Sequence, residues 1–136
     1  MKTSKLVLTS LVVSLLTSTS NLSASAQSSN NWIEQALGSY QSQILNGGIL
    51  ASGKTEFRKN SDSSLGGIYT MNEEGEIVPG KLSKCRAIQI RVMSCIWNDK
   101  YGTGKLEVTF AEDFSGFNGY WGEESSEPVY RWSGSR

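Results

Sequence analysis

The sequence predicts a mainly β protein: an antiparallel β-meander, as a twisted sheet or partly closed barrel, with one N-terminal α-helix. Three observations carry this. "KLEVTF" (105–110) alternates cleanly, with Leu106, Val108 and Phe110 on one face. From about residue 54 onward, short runs of period two are separated by turn residues. A glycine also recurs in an apolar-x-Gly-x-apolar unit, in "LGGIY" (65–69), "VPGKL" (78–82) and "FNGYW" (117–121), and "WSGSR" (132–136) shares its first three places.

The first segment reads as a cleavable leader. Lys2 and Lys5 precede the apolar run "LVLTSLVVSLL" (6–16), and "ASA" (24–26) supplies a small-residue cleavage pattern before Gln27. The run is too short for a membrane span, which needs roughly 20 apolar residues. A signal peptide over 1–26 predicts a secreted or periplasmic protein with no stable membrane insertion after cleavage. Losing Lys2 and Lys5 leaves 11 basic against 13 acidic residues, a net charge of −2. That balance argues against nucleic acid as a partner.

Residues 27–50 read as the helix and a linker, forming one domain with the meander at 51–136. Asn31 and Glu34 resemble a capping box. Ile33, Leu37, Tyr40 and Ile44 recur at helical spacing, and "NGG" (46–48) supplies a stop.

Cys85 and Cys95 are the only cysteines, and an even count in an exported chain predicts a disulfide. One straight strand would separate them by about 33 Å. A bond needs Cα atoms within about 7 Å, so the chain must turn between them. The expectation places 83–89 in a connection and "IRVMSCIW" (90–97) in a strand.

The glycines mark a repeated hairpin. "YTMNEEGEIVPGKL" (69–82) aligns without a gap on "VTFAEDFSGFNGYW" (108–121), matching Gly80 to Gly119. Residues i and i+2 of a strand share a face, so Phe117, Gly119 and Trp121 point together. Gly119 then leaves a gap that a ring from a neighbouring strand can cover. The functional alternative is that a ligand enters the gap against bare backbone. "FNGYW" and "WNDKYGTGKL" (97–106) together resemble MORN-type β-hairpin repeats over about 97–121. Avidin-like and lipocalin-like meanders also use glycine-flanked aromatic strands. The resemblance implies hairpin architecture and places no active residue.

Chemistry is constrained mainly by what is missing. The chain has no histidine, which excludes Ser-His, Cys-His and His-metal sites. No dinucleotide fingerprint occurs, and no cofactor or metal ligand set is expected. Acids cluster at Glu73/Glu74/Glu76, Glu112/Asp113 and Glu123/Glu124/Glu127. They read as solvated turn residues, with paired-acid hydrolysis or calcium at a turn as the alternatives.

Aromatic residues crowd the last third. Tyr101, Tyr120, Trp121, Tyr130 and Trp132 form the candidate ligand or partner surface. The leading expectation is a non-enzymatic domain binding a protein, glycan or small ligand outside the cytoplasm. A small hydrolase using paired acids and a structural or inhibitory envelope protein are the rivals.

Overall fold

The computed structural model describes residues 31–136; the leader at 1–26 lies outside them. Eight antiparallel strands follow one another round a closed barrel. They are β1 (Gly38–Asn46), β2 (Ile49–Lys59), β3 (Leu65–Glu73), β4 (Glu76–Gln89), β5 (Val92–Asp99), β6 (Gly102–Phe110), β7 (Gly116–Glu123) and β8 (Tyr130–Ser135). A short helix, α1 (Trp32–Ala36), precedes them. Every strand pairs with its neighbour in sequence, and β1 closes on β8 from Gln41↔Ser135 to Ile44↔Trp132. Closure leaves no unpaired edge strand.

The helix is shorter than its periodicity predicts. Residues 38–46 are β1, paired with β2 along its whole length. Leu37 is already extended, with ψ 151°, and Gly38 follows at φ +121°, so α1 stops at Ala36. Tyr40, Ser42 and Ile44 then alternate inward. The spacing of Tyr40 and Ile44 suits both a helix turn and every second inward strand position, and two ladders select the strand. "NGG" is therefore not a helix stop. Gly47 and Gly48, with φ +60° and +79°, form the two-residue β1–β2 turn. Glu74 and Gly75 repeat it between β3 and β4 with φ 52° and 94°. Positive φ at both central residues matches the right-handed twist of the flanking strands.

Cys85 and Cys95 are joined, with Cα atoms 4.0 Å apart. The reversal between them is the Ile90–Arg91 turn, so 83–89 is not a connection but the second half of β4. A bulge between Ser83 and Arg86, with Lys84 at φ 49°, shifts the alternation by one residue. Leu82 and Cys85 consequently both face inward.

The two aligned segments are the β3–β4 and β6–β7 hairpins. They share register at the glycine, with Tyr69 opposite Gly80 and Val108 opposite Gly119. Phe117, Gly119 and Trp121 face the same side as expected, but no aromatic ring covers Gly119. A Cβ there would meet Val108 Cγ1 at 2.7 Å and the carbonyl oxygens of Glu107 and Trp132 at 2.8 and 3.0 Å. The neighbouring strands themselves close the gap. Ring-over-glycine packing occurs instead at Gly80, under Tyr69, and at Gly134, under Phe117.

Aromatic packing divides the interior into two ends. At the end holding α1, Tyr40, Phe57, Phe110 and Phe117 interlock with centroids 5.2–6.0 Å apart, and Trp32 packs on Phe110. Arg136 fastens this end. Its guanidinium donates to the carbonyls of Phe114, Leu37 and Gln35 and lies 4.6 Å from the Tyr40 ring centroid. Midway, Trp132 Nε1 donates to Thr55 Oγ1, which donates to Ser42 Oγ, so the buried hydroxyls are satisfied.

Candidate functional site

At the opposite end lie the tight turns 47–48, 74–75 and 100–101 and the longer loop 124–129, and no helix closes it. Here the barrel interior opens into a cavity of about 30 Å³. Its walls are the indoles of Trp97, Trp121 and Trp132, the phenol rings of Tyr69 and Tyr101, and the side chains of Ile44 and Met71. Its polar lining is Asn46 and Asp99.

Alternation delivers these residues. Trp97, Trp121 and Trp132 occupy inward positions near the open ends of β5, β7 and β8. Each indole N–H is spoken for: Trp97 donates to the Gly122 carbonyl at 2.9 Å, Trp121 to the Leu45 carbonyl at 2.9 Å and Trp132 to Thr55. The rings are held in place, and none of the three indole N–H groups is left without a partner. Trp97 and Trp121 meet edge to face at 5.3 Å, and Tyr69 meets Trp132 at 4.6 Å.

A hydrogen-bonded rim surrounds the opening. Tyr69 Oη donates to Asp99 Oδ2 at 2.7 Å, and the Tyr101 backbone N–H donates to Asp99 Oδ1 at 2.8 Å. Asn46 Nδ2 donates to Glu73 Oε1 at 2.6 Å, and Tyr101 Oη donates to Glu73 Oε2. Burial raises the Tyr69 phenol above its ordinary range, and the bond to Asp99 raises it further. The bond to Glu73 raises Tyr101 in the same direction. Both phenols stay protonated and act as donors to the two carboxylates.

The five candidate aromatics divide accordingly. Tyr101, Trp121 and Trp132 line the cavity, and Tyr130 packs on Trp121 at 4.8 Å from the solvent side. Trp132 is buried, so it serves as cavity wall rather than outer surface. Tyr120 is exposed on the outer wall, facing away from the cavity. Trp97, Tyr69 and Asp99 belong to the site as well, beyond the five aromatics of the expected surface. Trp97 carried a usable signal, its place in an alternating strand two residues before Asp99.

The acidic clusters separate as well. Glu112 and Asp113 are exposed in the β6–β7 turn at the closed end, where Asp113 Oδ1 accepts from the Ser115 backbone N–H at 3.0 Å. Glu123, Glu124 and Glu127 are exposed beside the open end. Among the described residues no three histidine, cysteine, aspartate or glutamate side chains are placed to share a metal ion.

A larger concavity, about 920 Å³, is an open saddle on the outer wall. Registers place Ser52, Gln43, Ser133, Asn118 and Thr109 in one row across it. Its two aromatic residues, Phe110 and Phe117, have their rings buried in the core, so it offers a ligand neither an exposed ring nor a charge from this row. The smaller mouth has rings, carboxylates and enclosure together, which is what fixes a bound molecule. No protein-family model, curated protein or solved structure matches this chain.

Proposed function

We propose that this protein is a non-catalytic binding domain that receives a ligand in the open mouth of its barrel. The observation that carries this is the asymmetry of the two ends. One is packed with aromatic rings and fastened by Arg136, while the other keeps a cavity walled by three anchored indoles. Fixed rings with hydrogen-bonded rim groups are preorganised, so little ordering is needed on binding. The Cys85–Cys95 pair, at bonding distance, fits an oxidising, extracellular environment. Secretion or export to a periplasm is the finer form of that reading.

The test is nuclear magnetic resonance of the labelled protein with n-butanol, n-butylamine, benzene and glucose added singly. Shifts concentrated on the Trp97 and Trp121 indole N–H signals support the mouth. Shifts confined to the outer saddle around Gln43 and Asn118, or none with any probe, overturn it.

A further inference from the structure

Among the described residues, three ion pairs are formed: Arg58–Glu56, Lys59–Glu34 and Lys100–Glu76. Asp99 and Glu73 belong to none of them. Both are partly buried, and both accept only from neutral donors, namely two phenols, an amide and a backbone N–H. Partial burial of a carboxylate costs hydration, and a cation offsets that cost more fully than neutral donors do. The nearest basic group on the rim, Lys100, is turned to Glu76 at 3.2 Å and lies 5.1 Å from the Tyr101 ring centroid. Glu74 is exposed on the adjoining turn. The mouth wall therefore carries Asp99 with no ion-pair partner, and Glu73 stands behind the lining residues Asn46 and Tyr101.

The walls favour a cation as well. Aromatic faces carry negative quadrupole potential and attract a cation within about 6 Å, tryptophan most strongly. Three indoles and two phenol rings surround the opening. No basic side chain lines it.

Building on the mouth as the binding site, we propose that its ligand carries a primary alkylammonium group, seated against Asp99 with the indole rings around it. Size selects the primary form. A cavity of about 30 Å³ admits a water-sized head group, whereas a trimethylammonium group demands several times that space. Donor chemistry agrees. An ammonium brings three N–H donors, and each carboxylate oxygen of Asp99 uses one hydrogen bond while able to accept about two. Tyr101, exposed and joined to Glu73 by its hydroxyl, stands at the entrance and must shift to admit the alkyl chain.

The experiment is a titration of the folded protein, followed by tryptophan fluorescence, with n-butylammonium, n-butanol, butyrate and tetramethylammonium at low salt. The expected result is n-butylammonium binding at least ~10-fold tighter than n-butanol, with butyrate and tetramethylammonium weakest. In Asp99→Asn and, separately, Glu73→Gln, the ratio of n-butylammonium to n-butanol affinity should fall several-fold. Two variants guard against a folding defect in one. Equal affinity for amine and alcohol overturns the cationic assignment and leaves the mouth reading standing. Tighter tetramethylammonium overturns the primary form. No response to any probe removes the mouth itself. Nα-acetyl-lysinamide, run alongside, separates a lysine side chain from a free amine as the source of the group, because only the former gains from rim contacts with its backbone amides.

Discussion

The ring of Tyr69 on β3 lies over Gly80, its cross-strand partner on β4, so that a Cβ at residue 80 would meet Tyr69 Cζ at 2.0 Å and Cε1 at 2.5 Å. Tyr69 cannot swing aside, because its hydroxyl is tied to Asp99 and its ring is wedged edge to face on Trp132. Gly80→Ala is therefore expected to destabilise the barrel by about 1–3 kcal/mol, the usual cost of overpacking. Thermal melts check it, and the cost should shrink in a Tyr69→Leu background. Equal costs in both backgrounds would show that the ring is not the obstacle.

Gly119→Ala is expected to destabilise as well, for a different reason. The obstacles are two backbone carbonyls and the stiff Val108 side chain. Val108→Ala should relieve only part of the clash, since the carbonyls of Glu107 and Trp132 remain. Full restoration of the melting temperature in the double variant would contradict this account.

Reduction of Cys85–Cys95 should lower stability by about 3 kcal/mol, from the loop-closure entropy of a ten-residue separation. Thiol counting on denatured, unreduced protein should find no free sulfhydryl. An unchanged melt on adding reductant, with two thiols then titrating, would show that the barrel alone fixes this hairpin.

Alkaline pH should weaken the fold. Burial raises the pKa of Tyr69 and Tyr40, with Arg136 partly opposing the shift at Tyr40. The unfolded chain loses these protons above about pH 10 while the folded chain keeps them. The unfolded state then binds fewer protons, so stability falls as pH rises through that range. Ultraviolet titration should find fewer than the full five phenolates at about pH 11 in folded protein and all five after denaturation. Five phenolates in the folded protein would count against buried, protonated phenols.

Arg136→Ala should loosen the closed end, at a cost of about 1 kcal/mol given the exposure of the side chain. Arg136→Lys should not restore it, because three carbonyls in different directions need the guanidinium fork. Hydrogen exchange of residues 32–40 is the readout. Protection unchanged in both variants would mean that Trp32 and Tyr40 hold α1 unaided.

Much of the fold was readable locally. "KLEVTF" alternates because β6 has one face inside and one outside, and that is a property of consecutive residues. The glycine unit was readable as a hairpin because Gly80 and Gly119 hold equivalent registers. β1 was not. Its central inward residue is Ser42, a polar side chain that breaks the apolar alternation and leaves only the four-residue interval from Tyr40 to Ile44. Ser42 is tolerable inside because Thr55, a residue of the next strand, donates to it.

The cysteine pairing, the mainly β class and the concentration of aromatics near the C-terminal strands follow from the sequence alone, since each rests on residue type and short-range spacing. Barrel closure, the assignment of 38–46 to a strand and the joining of Asp99 to Tyr69 and of Glu73 to Asn46 and Tyr101 were decided by tertiary structure. These contacts bridge 27 to 30 residues, and β1 meets β8 across nearly the whole described chain. No local pattern encodes such distances. They arise when inward glycines let the sheet coil tightly enough to meet its own first strand, which turns scattered turn residues into the rim of one opening.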